Sequence, residues 1–147
     1  MQRVPRRPRR PRGTTLPELL IAVVVVGIIA GLAITGAARL ADRLATRGAA
    51  REVRAGLLTA RHLAVLRATR AAFTVDTARA RLTVRLAAET ALVRDVGTLY
   101  GVRLAASRDS LAYSADGLGW GAANARLVVS RGTAAETITV SRLGRVR

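Results

Sequence analysis

The sequence predicts an α+β fold in which one long N-terminal helix packs on an antiparallel β-sheet. Three observations predict it. Residues 19–34 are exclusively Leu, Ile, Val, Ala and Gly. A helical rhythm of apolar residues continues beyond that run, and from Ala71 the period changes to strict alternation.

The 147 residues suffice for one globular domain. Half of them are hydrophobic and only 3% are aromatic, so Ala, Val and Leu must build the core. The absence of cysteine excludes disulfides, thiolate metal sites and cysteine nucleophiles. His62 is the sole histidine and cannot form a histidine cluster. The serines show no nucleophile-elbow context, and the glycines around Trp120 neither follow a clear strand nor open a helix. An enzymatic role and a cofactor are therefore not expected.

All 25 basic residues are arginines. Six of them precede Gly13, so the other 134 residues carry 19 arginines against 9 acids, a formal charge of +10. Such a surface suits anionic partners, and it equally suits simple solvation.

The first segment, residues 1–13, combines six arginines with three prolines and is expected to be extended. The apolar run that follows reaches 20 residues at Ala38, about the length that crosses a bilayer. Basic residues before it place the N-terminus in the cytoplasm and the remainder outside. A secretory signal cut near Gly36 or Ala37 is one competing reading, and an uncleaved anchor is another. Glu18 sits at the leading edge of the run. Thr15 and Glu18 fit a capping box, and Pro17 suits a first helical turn.

Beyond the run, Arg39, Arg43, Arg47 and Arg51 form one stripe at i, i+4 spacing. Val53, Leu57, Ala60 and Ala64 follow the spacing of a buried face. The helix is expected over about 15–70, with a bend near Gly48, where glycine weakens it. His62 is expected at its surface. Phe73 and Val75, then Leu82, Val84 and Leu86, predict a hairpin around residues 76–79. Leu99, Val102 and Leu104 predict a third strand, and Leu111 with Tyr113 a short fourth. Residues 116–125 read as a loop. Leu127 with Val129 and Ile138 with Val140 predict a second hairpin around Arg131-Gly132-Thr133. In the extended tail Gly144-Arg145-Val146-Arg147, Arg145 and Arg147 point to one side and are the candidate DNA-binding pair.

Arg12-Gly13-Thr14-Thr15-Leu16-Pro17-Glu18-Leu19-Leu20, followed by the aliphatic span, resembles the type III signal of type IV prepilins and pseudopilins. The stretch Leu58 to Arg67 and the terminal strand-turn-strand-Gly-Arg pattern resemble the GspH/FimT subfamily. The resemblance implies a pilin-like fold divided into a leader (1–13), a transmembrane and assembly helix (14–38), an exported helical half (39–70) and a β domain (71–147). It implies that a prepilin peptidase cuts after Gly13. Thr14 then becomes the mature N-terminus, with methylation of its amine. Thr14 stands where the family usually has phenylalanine, which weakens the methylation inference more than the cleavage one. Glu18, the fifth mature residue, would pair with a neighbouring subunit's terminal amine during assembly. The implied role is a minor pseudopilin of a type II secretion system, similar to its H subunit. Its partners would be other pseudopilins or pilins, and its location the inner membrane with an exported C-terminal domain. The alternatives are a FimT-like minor pilin that binds DNA during uptake, and a plain single-pass anchored domain.

Overall fold

The computed structural model describes residues 13–121 and 124–147, so all but the last residue of the arginine-rich segment 1–13 lies outside the described part. The chain divides into two compact units, Met1–Ala37 and Ala38–Arg147. Helix α1 (Leu16–Leu66) contributes to both. In the first unit its residues are exposed and aliphatic, including Leu19, Ile21, Val24, Ile28 and Leu32. Among the described residues α1 is the one helix long and apolar enough to cross a membrane.

In the second unit, α1 buries Ala49, Ala50, Val53, Leu57, Ala60 and Ala64 completely, the face that the i, i+4 spacing predicts. Its opposite stripe of Arg39, Arg43, Arg47 and Arg51 is exposed, as is His62. The helix is unbroken through Gly48. That glycine makes room for Tyr100, whose Cε1 would lie 2.6 Å from an added Cβ. Helix α1 stops at Leu66 rather than near Arg70. Ala68 takes a left-handed φ of 46°, and the N–H groups of Ala68 and Thr69 donate to the carbonyls of Val65 and Ala64 at 3.2 and 3.1 Å. These two bonds are the Schellman pair that satisfies terminal carbonyls, here without the usual glycine.

The β-structure follows as β1 (Ala71–Asp76), β2 (Arg81–Leu86), β3 (Glu89–Asp95), helix α2 (Val96–Tyr100), β4 (Arg103–Ala106), β5 (Ser110–Tyr113), β6 (Gly119–Trp120), β7 (Ala125–Arg131) and β8 (Ala134–Val140). The two expected hairpins are present, β1 with β2 and β7 with β8, in antiparallel register. Instead of one sheet there are two. One has the order β3-β2-β1-β5-β6, the other β4-β7-β8. Leu99 is not in a strand: it lies in α2, which Asp95 caps by accepting from the Thr98 N–H at 2.9 Å. Gly101 ends α2 at φ 63°, so the predicted third strand begins only at Arg103. Residues 116–125 are not all loop, because β6 pairs with β5 and Ala125 opens β7.

The core is one cluster between α1 and the strands. Phe73, Leu82, Val84, Tyr113, Leu127, Val129 and Ile138 fill it from the β side. Each fully buried side chain of this size contributes roughly 1.5–3 kcal/mol. Three ion pairs tie α1 to the strands at the rim: Asp42 to Arg131 at 3.0 Å, Arg54 to Glu136 at 3.0 Å and Glu52 to Arg94 at 3.6 Å. Arg131 also donates to the Tyr100 carbonyl at 2.6 Å, linking β7 to the end of α2.

Candidate functional sites: the helix entry and the arginine edge

Gly13, Thr14 and Thr15 are exposed and non-helical, immediately ahead of α1. Among the described residues, an added Cβ at Gly13 would meet nothing within 4 Å. Glu18 is exposed in the first turn of α1. Its carboxylate accepts from the Thr15 backbone N–H at 3.5 Å, a long contact at the edge of hydrogen-bonding range. The spacing of the capping box is thus used in one direction, and the carboxylate keeps most of its accepting capacity. Pro17 falls in the same first turn, where no N–H is needed. Gly13 and Thr14 thus lie just ahead of α1, and Glu18 lies in its first turn.

The other candidate pair lies in the second unit. After a turn closed by the Gly144 N–H donating to the Ser141 carbonyl, the tail runs back along β8. Thr139 and Arg147 exchange both backbone hydrogen bonds at 2.9 Å, and Val140 bridges Val146. Val146 packs on the core, while Arg145 and Arg147 are exposed, in keeping with the alternation expected for an extended tail. Gly144 has a structural reason for being glycine. Its φ is 71°, and a Cβ there would sit 2.9 Å from Cε1 of Tyr113.

Cross-strand register adds a residue that the sequence does not single out. Arg126 on β7 is opposite Thr139, which is opposite Arg147. Directly opposed residues share a face of a sheet. Arg126 and Arg147 are therefore two strands apart, roughly 10 Å, on one exposed face. Arg103 lies at the far end of β4 on that face, opposite Ser130. The one carboxylate of β8, Glu136, pairs instead with Arg54 of α1. A further surface cation, Arg70, lies over the exposed Trp120 ring at 5.7 Å, an arrangement worth about 0.5–1 kcal/mol.

Two carboxyls in this unit are held below the usual carboxylate range. Hydrogen bonds from Thr98 and then Arg81 do this for Asp95, and bonds from the Ser114 hydroxyl and the Leu118 N–H do it for Asp116. Both are turn and cap devices.

A long helix whose C-terminal half lies on antiparallel strands is the pilin fold. No family model matches the chain, and no curated protein matches it. Among solved structures, the fold is similar to the type IV minor pilin FimU of Pseudomonas aeruginosa in two crystal forms. The first shares 19% identity at a TM-score of 0.62, covering 71% of this chain and 88% of that one. The second shares 18% identity at a TM-score of 0.58, covering 69% and 90%. It is also similar to the minor pseudopilin EpsH of the Vibrio cholerae type 2 secretion system, with 15% identity and a TM-score of 0.55 over 69% of this chain and 94% of that one.

Proposed function

We propose that this chain is a membrane-anchored, non-enzymatic minor pilin-like subunit, and within that class a minor pseudopilin of a type II secretion system, of the GspH/FimT subfamily. The observation that carries the reading is the composition of α1. Its exposed aliphatic beginning follows directly on Gly13-Thr14 and Glu18, and its second half is the spine of a domain with the pilin fold. In this reading the leader orients the chain with its N-terminus in the cytoplasm. A prepilin peptidase then removes residues 1–13 and Thr14 becomes the N-terminus. Residues 14–38 hold the subunit in the inner membrane and later pack against other pseudopilins, while residues 39–147 are exported. Glu18 is tolerable at the edge of an apolar span because a neighbour's terminal amine neutralises it, whereas a lone charge would remain strongly penalised.

Deleting the gene tests the assignment. The secretion reading expects a folded exoprotein to accumulate before the outer barrier, with restoration by the wild-type chain. Normal secretion together with lost surface pili or lost DNA uptake would contradict it.

A second reading, a FimT-like minor pilin that binds DNA, is favoured by the shared face of Arg126 and Arg147 beside Arg145. It expects duplex affinity to fall with salt at a log–log slope of about −0.9 per phosphate contacted. Arg145→Gln with Arg147→Gln should flatten that slope. A plain single-pass anchored domain, the third reading, would keep its arginine-rich leader.

A further inference from the structure

Arg39, Arg43, Arg47 and Arg51 are all exposed, and none forms an ion pair among the described residues. The acids on the same stretch of helix are engaged elsewhere, Asp42 by Arg131 and Glu52 by Arg94. Folding of the second unit thus strips the helix of its internal counter-charges and leaves the arginine stripe free. Arg39 follows the apolar run directly, and Arg43 and Arg47 lie about 6 and 12 Å further along the helix. The headgroup layer on each side of a hydrocarbon core is roughly 5–7 Å thick. Arg39 and Arg43 therefore fall at headgroup depth if the run crosses a membrane. The β7–β8 turn lies beside this stretch of the helix, since Gly132 abuts the Asp42 carboxylate. Arg43, Thr46 and Arg47 with Thr133, Ala134, Ala135 and Glu136 enclose a concavity of about 430 Å³. Its single carboxylate, Glu136, is neutralised by Arg54 at 3.0 Å.

The geometry points to a binding site for a phosphate-bearing anion, and specifically for the headgroup of an anionic phospholipid in the outer half of the membrane. Arg39 and Arg43 contact the headgroup layer, and Arg47 with Thr133 closes the concavity over one phosphate. A free phosphate has the same chemistry. The lipid is the assigned source because the arginines begin where the apolar run ends. The site would fix the depth at which the subunit waits and add a threshold to its withdrawal from the bilayer. This inference rests on the anchored reading proposed above.

The test uses the full chain extracted in neutral detergent. Native mass spectrometry counts bound phosphatidylglycerol against phosphatidylcholine of the same acyl composition. Two arginines at the headgroup level, with Arg47 just above it, predict a preference for phosphatidylglycerol of about tenfold or more. In Arg39→Gln/Arg43→Gln/Arg47→Gln the preference falls below about twofold, and in Arg67→Gln/Arg85→Gln/Arg108→Gln it is retained. Equal affinities for the two lipids in the wild-type chain, or equal loss in both variants, would overturn the site. Stripping of the lipid by inorganic phosphate would reassign the concavity to the free anion, and stripping by a short DNA duplex would reassign the stripe to nucleic acid; either contradicts the lipid assignment. Recovery of the chain in the soluble fraction without detergent would instead remove the anchored reading and the site with it. An anchored chain with no lipid preference removes the site alone.

Discussion

Gly56 of α1 lies against the ring of Phe73 on β1, so closely that an added Cβ would be 2.9 Å from Phe73 Cε2. Phe73 is fully buried and has nowhere to move. Replacing Gly56 by Ala gains up to about 1 kcal/mol in helix propensity but overpacks a rigid contact at about 1–3 kcal/mol. The net expectation is destabilisation by about 1 kcal/mol, with partial recovery when Phe73→Leu is combined with it. Gly48→Ala meets the half-buried Tyr100 ring, whose Cε1 would be 2.6 Å from the new Cβ, and should cost less than Gly56→Ala only to the extent that this less enclosed ring yields. Thermal melts of the three variants check this contrast.

Ala68 closes α1 in the left-handed region, which costs an L-residue roughly 1 kcal/mol or more. Ala68→Gly is expected to raise stability by about 0.5–1 kcal/mol without altering the two closing hydrogen bonds. Chemical denaturation measures it, and a loss of stability would contradict the geometry.

How much of the fold was legible depended on whether the signal was local. The hairpins of Phe73 with Val84 and Leu127 with Ile138 were readable because each strand buries one face and exposes the other. Strand β3 was not, because Glu89 to Asp95 lies at a sheet edge with both faces largely exposed, so no alternation marks it. Its preceding turn also hid itself, since Ala87 adopts φ 52° where Gly or Asn would be expected. Leu99 was misread because one turn of α2 and a strand present similar apolar spacing, although Asp95 and Gly101 are the cap signals that separate them. The division into two sheets depends on long-range pairing that no local pattern encodes. Gly13, Thr14 and Glu18 could be singled out because they lie within six residues, while Arg126 joins Arg147 only through register.

Tyr113 is buried to 1% exposure, and its hydroxyl has no hydrogen-bond partner among the described residues. Burial pushes its phenol above the ordinary value of 10, with Arg61 opposing the shift. An unmet buried hydroxyl costs about 1–3 kcal/mol, so Tyr113→Phe should be stabilising by about 1 kcal/mol. The raised folded-state value also fixes the sign of the alkaline limb. The stability tied to the neutral phenol is complete below the unfolded value near 10 and is lost as pH rises through the folded one. Denaturation midpoints at pH 8 to about 11 should fall more steeply for the wild type than for Tyr113→Phe.

Glu18→Ala should leave the proposed processing after Gly13 intact, because residues 13–15 are exposed and lie outside the helix. If Glu18 pairs with a neighbour's amine as proposed, assembly should suffer, since leaving one member of a buried charge pair alone costs about 3–5 kcal/mol. The subunit is expected in the membrane fraction at normal level and in sheared filaments at about a tenth of it or less. Equal filament recovery would remove the pairing role.

The most direct measurement is the intact mass and N-terminal sequence of the chain extracted from its native membrane. The account predicts a polypeptide beginning at Thr14, with or without a methyl group on its amine. A chain that still carries residues 1–13, or one trimmed beside Ala37, would contradict it.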